Sequence, residues 1–279
     1  MKNQGISLCV ALALTYAPCF ADAANPNKSS QPKASTPTYA TAPLDPSTEN
    51  LPRLYAGHSC NVIARKISSF KPTKSEYETT ADYKQRLSGM ANAPLVGTTA
   101  LGDLIGFVTT EDVYSGITQN YNADLGILMI KKYSTNTSQL IAGQLLMSGL
   151  IEQKIKGSRN YLGSNAYGKK VSVSATHWSV CGIAFSNFTY QDILTSRSLE
   201  IDIAIELSPN DARLAKDNLA VMYVGQLSEP YLGQYTDYSK PTIDLPSEIS
   251  MSGDAIVIKL AQLWLFNRQT GKVYQKIDF

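Results

Sequence analysis

Histidine is the side chain that most readily moves protons near neutral pH, and the chain has two of them, His58 and His177. His177 stands in Ala175-Thr176-His177-Trp178-Ser179, where one predicted strand gives way to the next. Loops at strand ends carry function, which makes His177 the catalytic candidate. A hydrolase built on it needs a serine or carboxylate within hydrogen-bond reach, and no Gly-x-Ser-x-Gly elbow supplies one. A turn histidine beside a tryptophan also has a purely structural explanation, and His58 is read as part of the approach to a first helix.

Other chemistry is thinner. Ser68-Ser69-Phe70-Lys71 has the Ser-x-x-Lys spacing in which a lysine one helical turn on activates a serine. Pro72 follows at once, and the chain lacks the Lys-Thr-Gly and Ser-Asp-Asn companions. No His-x-x-x-His or His-x-His pair exists for zinc. Glu200, Asp202 and Glu206 on one side of a strand are calcium-type donors, with a solvated strand face as the simpler explanation. No cofactor or metal is expected. Tyr231, Tyr235 and Tyr238, in a Gly-containing stretch read as a loop, form a candidate binding surface because tyrosine gives amphipathic contact area at low entropic cost. Packing of the same rings on the protein's own sheet is the alternative.

The compartment is read from the N-terminus. Met1-Lys2, the apolar run Ile6 to Ala17 and the small residues Ala21 and Ala23 form a signal peptide over 1–23. The run is too short for a spanning helix, which needs about twenty apolar residues, and Pro18 beside Cys19 argues against lipidation. A periplasmic or secreted location follows, with no transmembrane segment. Removing residues 1–23 takes Cys9 and Cys19, leaving Cys60 and Cys181 of the four cysteines. In an oxidising compartment these can form a disulfide, with two buried thiols as the alternative.

From 24 to 50 the chain is rich in Pro, Ser, Thr and Ala with hardly a large aliphatic residue, and it is read as a disordered leader. Residues 51–279 are read as a single folded domain. Ser59 caps a first helix carrying Val62, Ile63 and Ile67, stopped by Pro72, and Thr79 with Asp82 starts a second. Beyond Leu101 the period becomes that of strands: Ile127 to Tyr133, Val171 to Ser174, Cys181 to Phe188, and the strict alternation from Leu199 to Leu207. Ser208-Pro209 caps a short helix, Leu219 to Leu227 is a strand, and Asn267 to Gly271 turns a terminal hairpin. The helices are too few to supply crossovers for a parallel sheet, so the fold class is α+β, β-rich and mainly antiparallel, with short N-terminal helices packed on the sheet.

The segment from Phe70 to Arg86 places Lys74, Glu76, Tyr77, Glu78, Thr79, Tyr83 and Arg86 in the order Lys-x-Glu-[Phe/Tyr]-Glu-Thr-x-x-x-Tyr-x-x-Arg. It resembles a pattern near the start of a group of secreted or periplasmic bacterial proteins of unassigned function. Tyr161 to Val171 and the hairpin from Leu263 to Val273 are similar to further segments of that group. The resemblance implies no activity. Glu76, Glu78 and Arg86 are expected to pair around a helix start, and Gly163, Asn165 and Gly168 to suit a tight strand connection.

Net charge is +2, which calls for neither nucleic acid nor an anionic membrane as partner. The expectation is an exported, non-catalytic envelope protein that binds another protein or a surface polymer. The alternatives are an envelope-directed hydrolase using His177, or a structural component of a secreted assembly with an unpaired strand edge.

Overall fold

A computed structural model of the chain describes residues 36–90, 93–109, 117–133, 138–141, 143–188 and 200–279. The signal peptide read over 1–23 and the first part of the expected leader lie outside the described residues. Helix α1 (Cys60–Ser69) begins where Ser59 Oγ accepts from the Val62 amide, and it buries Ile63, Ala64 and Ile67 on one stripe. Helix α2 (Thr80–Met90) starts at the predicted cap, with the Asp82 amide donating to Thr79 Oγ1 at 3.1 Å.

The strands follow: β1 (Pro94–Val96), β2 (Thr99–Ala100), β3 (Leu104–Val108), β4 (Ile117–Asn122), β5 (Ile127–Tyr133), β6 (Ser138–Ile141), β7 (Gln144–Ser164), β8 (Lys170–Phe185) and β9 (Glu200–Glu206). After α3 (Pro209–Lys216), capped by Ser208, come β10 (Leu219–Ser239), β11 (Ser247–Asn267) and β12 (Val273–Asp278). The main sheet has the order β3-β10-β11-β8-β7-β6, with β12 joined to the second half of β11. Every pairing in it is antiparallel except β8 with β11, which runs parallel over Ser247 to Ile258. A smaller sheet, β4-β5-β9, lies apart from it in the hydrogen-bond network. The fold is therefore β-rich α+β.

Two faces of the main sheet are covered differently. On one, α1 and the β4-β5-β9 sheet pack Ile63, Ile67, Ile130 and Ile203 against Phe107, Ile183, Val221, Ile256 and Leu265. On the other, Trp264, Phe266, Met222 and Val224 meet Leu44, Leu51 and Tyr55. That second cover corrects the expected disorder of 24–50 over its described part. Residues 36–50 form an extended strap: the Ala40 amide donates to Gly57 O at 2.8 Å, Leu44 N to Leu104 O at 2.9 Å, and Val273 N to Glu49 O at 2.9 Å. Proline-rich composition does not prevent ordering when backbone donors meet existing edges and one leucine, 7% exposed, fills a gap against an aromatic face. Order is therefore present from Thr36 onward, ahead of Leu51.

The strap is held by His58, which is fully buried. Its Nδ1 accepts from the Gly106 amide at 3.1 Å, so Nε2 carries the proton and donates to Ala42 O at 3.1 Å. Burial holds the imidazole pKa below its ordinary value, against the pull of the backbone contacts. Cys60, the first residue of α1, is disulfide-bonded to Cys181 of β8 with Cα atoms 5.9 Å apart.

Replacing Cys60 and Cys181 by alanine should lower the unfolding free energy by up to about 4 to 5 kcal/mol, the chain-entropy value for so long a loop. The bond spans 121 residues, and urea denaturation with and without the pair measures the effect; a loss under about 1 kcal/mol would show that folded contacts alone hold α1. For His58, the folded pKa is depressed, so the stability tied to its neutral form is present above about pH 6.5 and lost as pH falls through the lower folded value. Melting temperature should therefore fall on acidification from pH 7 to 5, and His58→Gln should flatten that slope; an unchanged slope assigns the titration elsewhere.

Candidate functional site

His177 lies midway along β8, not at a strand end. The backbone ladder to β7 on one side and β11 on the other carries the strand straight through Thr176-His177-Trp178, so no turn interrupts it. Its partner on β11 is Ser250 and on β7 Gly157, whose missing side chain leaves room beside the ring. Nδ1 stands 3.0 Å from Ser250 Oγ and Nε2 3.5 Å from Ser252 Oγ. The ring borders a shallow hollow of about 350 Å³ that also receives Arg159, Thr176, Glu248 and Ser250. Glu248 accepts a 2.5 Å hydrogen bond from the Tyr161 hydroxyl. That bond raises the phenol pKa above its usual value, and the Arg159 guanidinium sits 5.7 Å from the same ring's centroid.

A serine within reach of a histidine is the first requirement of nucleophilic catalysis, and Ser250 meets the distance. The remaining requirements are met less well. Both ring nitrogens of His177 face hydroxyls, and Glu248, the carboxylate of the hollow, is engaged by Tyr161. Ser250 sits in a strand paired on both sides, with His177 and with Tyr238, so its local amides serve the ladder and do not converge on an oxyanion position.

The three tyrosines do not form one surface. They lie on β10, which continues to Ser239 with a bulge between Leu227 and Leu232. Tyr231, in the bulge with φ 65°, packs on the α1-side core. Tyr235 is buried at 3% exposure on the other face with Val180, Met251 and Ala255. A Cβ on Gly182 would stand 3.0 Å from the Tyr235 ring, so the glycine makes the space the ring occupies. Only Tyr238, at 52%, is open to solvent. The stretch reads as a loop because of Gly233 and its polar residues, while long-range pairing with β11 makes it a strand.

The remaining sequence candidates resolve into structure. Helix α1 ends at Ser69 and Lys71 takes φ 53°, which removes the Ser68-to-Lys71 pair from a common helical turn. Asp202 pairs with Lys131 at 3.3 Å on an exposed strand face. Among the described residues no cluster of His, Cys, Asp and Glu is set to hold a metal ion, and no helix is long and apolar enough to cross a membrane. In the Phe70-to-Arg86 segment, Arg86 clasps both Glu78 oxygens at 2.7 and 2.8 Å and the carbonyls of Phe70 and Lys71, while the Tyr83 hydroxyl donates to Pro72 O. Those contacts close the α1–α2 connection; Glu76 takes no part in the clasp. At the β7–β8 turn, Asn165 Oδ1 accepts from the Tyr167 and Lys169 amides, and Gly168 adopts φ 79°, while Gly163 lies within β7.

A larger cleft, about 810 Å³, has no counterpart in the sequence reading. It opens between the strap at Tyr39, the start of α1, β7 from Ile151 to Lys156, and Arg268 in the β11–β12 turn. Glu152 projects at a register shift in β7 and caps α1: Oε1 accepts from the Cys60 amide at 2.6 Å and from Ser59 Oγ at 3.0 Å, and Oε2 accepts from Asn61 Nδ2. The one hint in the sequence is the basic spacing of Lys154, Lys156 and Arg159. No family model matches the chain, and no curated protein or solved structure matches it.

Tyr235→Ala should cost about 3 kcal/mol or more, as other buried aromatic truncations do, and Tyr238→Ala less than about 0.5 kcal/mol. Urea denaturation of the two variants separates them, and equal small losses would return Tyr235 to the surface.

Proposed function

We propose that the protein is exported and acts without catalysis in the cell envelope, binding another molecule across the far halves of its long strands. The observation that carries this reading is the reach of β7, β8, β10 and β11. Their apolar contribution to the α1-side core ends at Ile151, Cys181, Leu232 and Ile256, and beyond those positions that face carries Lys154, Arg159, His177, Glu248 and Ser250, with Ala175 and Val173 of β8 as buried exceptions. Ile155, Leu162 and Tyr238 are each more than half exposed in that region. A stiff, laddered sheet carrying such side chains is a scaffold for contact, because little conformational entropy remains to be lost on binding. Export is supported by the signal-type N-terminus and by a disulfide, a bond that persists in oxidising compartments.

The hydrolase reading keeps one specific observation, the 3.0 Å approach of His177 Nδ1 to Ser250 Oγ. The two readings separate in one experiment on isolated envelope material. The exported protein, with its N-terminus identified by mass, should co-sediment with the envelope, His177→Ala and Ser250→Ala should co-sediment equally, and the pellet should release no soluble fragments. Fragment release that disappears in both variants would establish the hydrolase instead, and a wild-type protein left wholly in the supernatant or retained in the cytoplasm would overturn the binding reading.

A further inference from the structure

The cleft beside α1 is lined by four cations, Arg65, Lys154, Lys156 and Arg268, and by a single carboxylate, Glu152. That carboxylate is spent on the helix start, where it accepts from Ser59, Cys60 and Asn61. Among the described residues, none of the four cations has an ion-pair partner. Arg65 donates only to its own helix, through Nε to Asn61 O at 3.2 Å. Arg268 Nε is shut off from solvent and has no hydrogen-bond partner. An atom closed to water is closed to a ligand in the cleft as well, so what Arg268 can offer there is the rest of its guanidinium, carried at a half-buried position on the cleft wall.

The other lining groups narrow the ligand. Tyr39 presents a ring 46% exposed, and Ser179 offers a hydroxyl, while that of Thr109 donates to Val221 O at 3.3 Å. Burial and the Glu152 charge raise the Tyr39 phenol pKa, with Arg268 opposing, so the phenol keeps its proton as a donor at neutral pH. Cations, hydroxyls and an aromatic face together match a sugar bearing carboxylates. A lone inorganic anion would leave the aromatic face unused.

The site is also elongated. Ser179 in the cleft and His177 in the smaller hollow are alternate residues of β8 on one face of the sheet, and Arg159 continues the basic series along β7. From Ser179 to Ala175 the track covers about 13 Å at the usual strand rise. We infer that the cleft and the track leading from it bind an acidic oligosaccharide, the carboxylates meeting Arg268, Arg65 and Lys154 and the sugar hydroxyls meeting Ser179 and Tyr39. This rests on the reading of an exported binding protein and names its ligand class.

The test is calorimetric titration of the purified protein with a galacturonic acid hexamer, a neutral maltohexaose, poly-glutamate and inorganic phosphate. The acidic hexamer should bind, maltohexaose should not, and binding should weaken as ionic strength rises. Arg268→Gln should weaken it roughly tenfold, the usual effect of losing one hydrogen bond to a charged group. Lys154→Gln and Arg65→Gln, both at exposed positions, should do likewise and serve if Arg268→Gln does not fold. Absence of hexamer binding, equal binding of poly-glutamate or phosphate, or an unchanged affinity in the folded variants would each overturn the proposal. Envelope co-sedimentation that persists in the cleft variants would remove this ligand while leaving the binding reading intact, whereas loss of co-sedimentation by the wild type removes the reading itself.

Discussion

Helix α1 is fixed to the sheet at its first turn by a covalent bond and a carboxylate, and the core beneath it and the large cleft beside it take their positions from that junction. Cys60 ties the helix to β8, while Glu152 of β7 satisfies amide and side-chain donors at the same end. A helix start leaves backbone donors without partners and carries a partial positive charge, so a carboxylate placed there is doubly favourable. With its start anchored, α1 can face the sheet in only one way: Ile63 and Ile67 go down into the core, and Asn61 and Arg65 are left to border the cleft. The same contact that completes the helix engages the one carboxylate of the cleft, whose charge is still felt at Tyr39.

The sheet's reach depends on a division along β11. Its first half pairs with β8 and its second half with β12, both on the side opposite β10. A short β12 thereby supports the helix-covered end, and β7, β8, β10 and β11 are free to continue beyond it. Their continuation is possible because close-packed glycines keep the strands together. A Cβ at Gly253 would fall 1.7 Å from Val180 O in the parallel pair, and a Cβ at Gly182 would meet Gly149 O at 2.7 Å. Tyr235 then lies across the space these glycines leave, which explains why a residue with the chemistry of a contact surface is buried.

What the sequence shows and what it hides divide by the range of the interactions involved. Ser59, Thr79 and Ser208 announce their helices because capping is decided within four residues, β5 is legible as a short apolar run, and β9 because it alternates between a wet and a dry side. The far halves of β7 and β10 carry no such alternation: their strand state comes from neighbours scores of residues away. The same cause misplaces His177 at a turn and Tyr231, Tyr235 and Tyr238 in a loop. The strap is hidden for a related reason, since its order comes from edges and an aromatic face that composition cannot display. The cleft is least legible of all, because its walls come from the strap, α1, β7 and the β11–β12 turn at once.

The two polar sites on the α1-covered side of the sheet differ in whether their groups are satisfied. Around His177 the donors and acceptors answer one another: Ser250 and Ser252 face the ring nitrogens, and Tyr161 answers Glu248. A network closed in this way is rigid, so it can border a bound chain but does not by itself call for one. In the cleft the balance is open. Exposed lysines without partners are ordinary on a protein surface, where water serves them as well as a carboxylate would. Arg268 is different, because it is half-buried on the cleft wall and its backbone is fixed by hydrogen bonds, from Leu54 N to Arg268 O and from Arg268 N to Asn218 O. The backbone thus holds a guanidinium beside three further cations that have no carboxylate partner among the described residues, and that fixed placement, more than the count of charges, separates a binding site from a basic surface.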